Sequence, residues 1–169
     1  RVAILWSPYN HYISRLHPFQ ENAFSGTWLY NISVTGGAPS DALALMNSLR
    51  MRPTMVGPQD VVAGDLEKRG FSTLILPYSK GLSIAEANAI RAFVNQGGLV
   101  IADNHPGVAT EHGRTLKKPR LADLFPVTDK INIVKHGKGH AAYLPNIING
   151  YLGRHEKADY TGSDAVEQL

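Results

Sequence analysis

No cysteine occurs among the 169 residues. That absence excludes a disulfide scaffold, Cys-based zinc fingers, iron–sulfur clusters and a thiol nucleophile. It leaves the redox compartment open. Charge is also sparse: 18% of residues are charged and 43% are hydrophobic. This is the balance of a globular chain and is too apolar for a disordered one. No apolar run approaches the roughly 20 residues of a membrane span. No signal-peptide pattern opens the chain. Neither a GxGxxG fingerprint after a strand nor a Gly-Lys-Ser/Thr phosphate loop is present, so dinucleotide binding is disfavoured.

What is there fits one domain of 18.4 kDa, long enough to bury roughly 70% of its unfolded surface without staples. Lys and Arg number 17 against 14 Asp and Glu, a net charge of +3. The basic residues are scattered, apart from the run Arg114 to Arg120. A nucleic-acid partner calls for a basic face with interleaved aromatics, and that is missing. The run Lys117-Lys118-Pro119-Arg120 reads as a solvated loop. The chain begins at Arg1 and passes at once into an apolar run, so it reads as a segment of a longer protein.

Val2 to Trp6 (VAILW) is a continuous apolar run, the pattern of a strand buried on both faces. Residues 7–39 show no clean period and read as a long loop with a helical turn near Glu21 to Asn31. Ser40 or Asp41 is placed to cap a helix reaching Leu49. Met51 to Val56 reads as a weaker strand, and Val61 to Arg69 as a short helical stretch stopped by Gly70. Ser72 to Leu76 and Leu99 to Ala102 are two further buried strands. Between them Ser83 and Glu86 have capping-box spacing, and Gly97-Gly98 ends the helix. Two non-alternating strands joined by a helix predict parallel pairing. Ile131 to Lys135 and Ala141 to Leu144 flank HGKGH and predict a hairpin. Ile147 to Leu152 is apolar enough to dock as a last turn, and Asp164 to Leu169 reads as the start of a helix. Together these predict an α/β fold, a flavodoxin-like three-layer sandwich with a mostly parallel sheet and a C-terminal β-hairpin.

Ligands of such sheets sit at the carboxyl ends of the strands. There the chain carries residues 7–12, 77–80 and 103–110. Asp103-Asn104-His105-Pro106-Gly107 follows the fourth strand, where a strand-to-helix elbow would present a nucleophile. A carboxylate and an imidazole there could form a base. No Ser, Cys or Thr occupies the elbow, and a structural turn is the plainer reading. The seven histidines are dispersed. His136 and His140 are four apart, but Gly137 and Gly139 argue against a helix between them, and no metal site is predicted. No cofactor is predicted either. The segment from Tyr9 to Tyr30 concentrates aromatics, among them Tyr12, Phe19, Phe24 and Trp28. Such side chains stack on sugar rings or anchor interfaces, and they equally pin a loop as a local core. The candidate ligand- or partner-facing residues are therefore Tyr9, His11, Tyr12, Trp28, Asp103, Asn104, His105 and Glu111.

The segment STLILPYSKGLSIAEANAIRAFVNQGGLVIADNHPG resembles the core of the class I glutamine-amidotransferase-like superfamily. Within it the chain is similar to a non-catalytic branch, the middle or trimerisation domain of family 42 β-galactosidases. The shared features are Leu74–Pro77, the helix Ser83–Gln96, Gly97-Gly98 and the strand Leu99–Ala102. Gly107-Val108, Glu111, Gly113, Pro119 and Leu121–Phe125 resemble the loop that follows, with Pro126 in place of an expected Gly. GKGHAAYLPNIINGYL resembles the closing strand. The resemblance spans about Met51 to Leu152, whereas Arg1 to Arg50 matches only in its opening strand. Active members of the superfamily use an elbow Cys, and Asp103 or Asn104 stands at that place here. The resemblance implies a degenerate domain over residues 1–169. It would serve oligomerisation or the shaping of a sugar site in a larger bacterial carbohydrate-active hydrolase, with no catalytic residue of its own. Its implied partners are other domains of the parent chain, further copies and carbohydrate, not nucleic acid or membrane. The compartment, bacterial cytoplasm or periplasm, stays open. Two alternatives are a hydrolase using Asp103 and His105, perhaps with Glu111, and a free-standing sugar-binding, trehalose-utilisation-like protein of the same superfamily.

Overall fold

The computed structural model describes residues 1–16, 28–126, 130–145, 147–148, 150–155 and 166. In chain order the elements are β1 (Val2–Leu5), α1 (Pro8–Leu16), α2 (Trp28–Ser48), β2 (Thr54–Val56), α3 (Pro58–Val62) and α4 (Asp65–Lys68). They continue with β3 (Thr73–Leu76), α5 (Ile84–Asn95), β4 (Leu99–Ala102), β5 (Asn132–His136), β6 (Gly139–Tyr143) and α6 (Tyr151–His155).

The six strands form one sheet in the order β2-β1-β3-β4-β6-β5. Every pairing is parallel except the β5–β6 hairpin. This is the expected flavodoxin-like sandwich. Its two cores follow from strand alternation. Ala3, Leu5, Leu74, Leu76, Val100, Ala102, Ala141 and Tyr143 join the core that holds Ile90, Phe93 and Val94 of α5. Ile4, Ile75, Ile101 and Ala142 face the other way, onto Ala42, Leu45 and Met46 of α2 and Tyr151 of α6. Apolar side chains on both faces explain why these strands are continuous apolar runs.

Helix α5 begins and ends as its sequence dictates. Ser83 Oγ accepts the Glu86 amide at 3.1 Å, and Glu86 Oε2 accepts the Ser83 amide at 2.7 Å. At the far end the Gly98 amide returns to Phe93 O and the Gly97 amide to Val94 O, with Gly97 at φ 118°. That is a Schellman stop, which favours glycine at the left-handed position. In the hairpin, Gly137 turns the chain at φ 59°. A Cβ on Gly139 would fall inside 3.0 Å of the carbonyl oxygens of Gly98 and Val94. The GKG sequence is thus a tight turn that lets β6 approach the end of α5.

Residues 7–39 depart from the expected loop. Residues 8–16 form α1, and α2 begins at Trp28, running through Gly36, Gly37 and Pro39. Residues 17–27, including much of the expected turn at Glu21 to Asn31, lie outside the described residues. Gly and Pro disfavour helix interiors. Here burial wins: Ala38, Ala42, Leu45 and Met46 recur on one face and are each at most 2% exposed. Asp41 is consequently no N-cap. It lies inside α2, and its carboxylate accepts the amides of Gly150 at 2.8 Å and Leu152 at 3.1 Å. Trp6, expected within the first strand, falls past its last residue and is 54% exposed. The segment from Ile147 does dock: Tyr151 is buried and donates its hydroxyl to Ser48 Oγ at 2.8 Å. Of residues 164–169 only Val166 is described, in helical conformation against the α2 core.

Candidate functional site

Parallel pairing brings the carboxyl ends of β1, β3, β4 and β6 to one crest. Leu76, Ala102 and Tyr143 stand in register on adjacent strands, so the segments leaving β3 and β4 meet beside the end of β6.

Asp103 is the first residue beyond β4 and is 1% exposed. Its Oδ1 accepts the amide of Tyr78 at 2.8 Å. Tyr78 leaves β3 with φ 48°, and Arg50 is the other described non-glycine residue with positive φ. An aromatic residue in that region carries strain of about 1–3 kcal/mol unless its surroundings hold it. The Asp103 carboxylate supplies part of that hold. A strained turn that presents a side chain is how a nucleophile elbow works. In this sheet the strained turn follows β3, not β4, and presents Tyr78. Lys80 Nζ sits 4.4 Å from the centre of the Tyr78 ring.

Past this point the two exit segments are laced together by backbone. The Gly107 amide donates to Ser79 O, the Ala109 amide to Lys80 O, and the Leu82 amide to Ala109 O. Helix α1 is clamped onto the same lacing. Asn10 Oδ1 accepts the Gly81 amide at 2.8 Å, and a Cβ on Gly81 would fall inside 3.0 Å of Ile13 Cδ1. A side chain at 81 would have to push the end of Ile13 aside.

His105 lies flat against Tyr143, with ring centres 4.9 Å apart and planes within 10°. Tyr143 Oη is 3.5 Å from His105 Nε2. His105 Nδ1 is buried and has no partner. Asn104 Oδ1 accepts the His105 amide at 2.8 Å. Ser7, at the end of β1, is also buried with an unpartnered hydroxyl.

Asp103, Asn104 and His105 are at the crest, each with the contact just described. Glu111 faces Arg120, with Nη2 at 3.6 Å from Oε2. Tyr9 is half-buried on α1, and Tyr12 on the same helix is 62% exposed. His11 is in α1 and Trp28 opens α2, and their side chains lie outside the description. The basic run also divides: Lys117 and Lys118 are exposed, whereas the Arg120 side chain is only 16% exposed and pairs with Glu111. Asn10, Tyr78 and Tyr143 matter at the crest but were not candidates. Tyr143 ends a recognisable strand, yet its contact with His105 depends on β6 pairing with β4. Nothing local marks Asn10. Among the described residues no three His, Asp or Glu side chains group as metal ligands. Among the same residues no helix is long and apolar enough to cross a membrane.

No family model matches the chain, and no curated protein does. Solved structures do match. A β-galactosidase from Bacillus circulans sp. alkalophilus superposes with a TM-score of 0.65 at 12% identity, over 93% of this chain and 31% of that one. Gan42B, a GH42 β-galactosidase from G. stearothermophilus, gives 0.62 at 15% identity, over 94% of this chain and 30% of that one. The fold is that of one segment of these β-galactosidases. The exo-β-1,4-mannosidase Op5Man5 from Opitutaceae bacterium strain TAV5 is also similar, with 0.56 at 12% identity, over all of this chain and 36% of that one. The chain spans about a third of the length of each of these enzymes. The same architecture thus occurs in proteins named for different sugars.

Proposed function

We propose that this chain is a non-catalytic accessory domain of a larger carbohydrate-active hydrolase, of degenerate amidotransferase-like descent. Its role is to build an oligomer or to shape a sugar site contributed by another domain. The observation that carries this reading is the use of the crest carboxylate. Asp103 is buried and bound to the Tyr78 amide, which makes it a brace for the turn rather than a base open to substrate. The lacing of residues 79–82 to 107–109 supports the same reading. So does the share of the similar enzymes that the chain covers, 30% to 36%.

The test is turnover by the chain itself. Chromogenic β-galactosides, β-mannosides and glutamine should be hydrolysed no faster than in buffer, and light scattering should show self-association. Hydrolysis that is lost in a folded His105→Ala variant would replace this reading with the Asp103/His105 hydrolase. A melting temperature raised by a monosaccharide, without turnover or self-association, would replace it with a free-standing sugar-binding protein.

A further inference from the structure

One buried polar group at the crest has no part in the bracing of Tyr78. Ser7 is 7% exposed, and its Oγ has no hydrogen-bond partner. It stands immediately before α1, with Pro8 as the first helical residue. Serine followed by proline is a common helix start, in which the serine oxygen accepts the amide of the second or third helical residue. Here Ser7 Oγ accepts neither the Tyr9 nor the Asn10 amide. First-turn amides have no carbonyl partner within their own helix, and the positive end of the helix dipole lies there. The first turn of α1 carries no acid to answer it.

The place in the sheet points the same way. Strand β1 lies between β2 and β3. The chain leaving β1 leads to α2 on one face of the sheet, and the chain leaving β3 leads to α5 on the other. The crevice between the carboxyl ends of β1 and β3 is therefore a switch point, where open α/β sheets take their ligands. Asn10 Oδ1 spans it, accepting the Gly81 amide at 2.8 Å, which holds the start of α1 against residues 77–81. That bond uses the oxygen and leaves the Nδ2 donors of the same side chain. Lys80 is the charged residue of segment 77–81, with its Nζ 4.4 Å from the centre of the Tyr78 ring. The Asp103 carboxylate at the crest is engaged by the Tyr78 amide.

We propose that the β1/β3 crevice binds an oxyanion, the carboxylate or phosphate group of a small ligand, at the start of α1. Ser7 Oγ–H donates to one oxygen of the anion, and the Tyr9 and Asn10 amides donate to the others. This role uses the hydroxyl as a donor, whereas a cap would use it as an acceptor. Lys80 balances the negative charge that Asp103 brings to the crest. The site goes beyond the accessory role, since it requires neither turnover by this chain nor another domain to complete it.

The test is an NMR titration of the nitrogen-15-labelled chain with inorganic phosphate, and in parallel with acetate, at constant ionic strength. The Tyr9 and Asn10 amide resonances should move along a saturating curve with one or both anions, and the pair distinguishes phosphate from carboxylate. Saturation by neither overturns the proposal. S7A, which loses one hydrogen bond to a charged group, should bind about tenfold more weakly. S7D puts a carboxylate in the capping position, where it takes the same amides. Its melting temperature should rise and its response to the anions should vanish. S7A or S7D binding as tightly as the parent overturns the site. Shifts confined to the exposed residues Arg114, Lys117 and Lys118 signify an adventitious ion only and overturn it as well.

Discussion

Replacing Asp103 with alanine separates a structural brace from a reactive group. The carboxylate is 1% exposed and holds the Tyr78 amide at 2.8 Å. A hydrogen bond to a charged group contributes about 1.5–3 kcal/mol, and removing the acceptor leaves a donor at a strained turn without its partner. Asp103→Ala should therefore cost about 2–3 kcal/mol. In a domain of this size that corresponds to a fall in melting temperature of about 4–12 °C. Asp103→Asn keeps an acceptor oxygen and should cost about half as much or less. Urea unfolding followed by circular dichroism measures both, and a lower midpoint at unchanged slope identifies a true stability loss. If Asp103→Ala unfolds within about 0.5 kcal/mol of the parent, the brace is not structural and the reasoning fails.

Gly139→Ala drives a Cβ against two backbone carbonyls that have no side-chain freedom to yield. It should cost about 3 kcal/mol or more, or prevent folding, as a thermal melt would show. Asp41→Ala frees the amides of Gly150 and Leu152, so amide exchange should accelerate at those two residues, with a stability loss of about 2 kcal/mol. Tyr151→Phe removes the bond to Ser48 and should cost about 1 kcal/mol in denaturant titration. Arg91 holds the Asp123 carboxyl below its ordinary range through a hydrogen bond. That stabilisation is complete above the unfolded carboxylate value and fades as pH falls through the folded one. Both groups are partly exposed, so Arg91→Ala should cost no more than about 1 kcal/mol at pH 7, and less in acid or high salt.

The two halves of the molecule differ in how far they could be read from the residues alone. From Met51 onward the local signals are strong and agree with one another. Continuous apolar runs mark strands buried on both faces, Ser83 with Glu86 starts α5, Gly97-Gly98 stops it, and GKG turns the hairpin. Each depends on residues a few positions apart, so sequence carries it. Residues 7–39 misled because Gly36, Gly37 and Pro39 are loop residues by propensity. The helix through them is held by Ala42, Leu45 and Met46 lying on a sheet built from distant segments. The crest shows the same division. Sequence alone placed Asp103 and His105 at a strand end and showed that no thiol could act there. Tertiary structure alone decided that Asp103 braces Tyr78, that His105 lies on Tyr143, and that Glu111 pairs with Arg120. Those partners are far apart in the chain, and what each polar group does is set by which strands pair and by how much water they exclude.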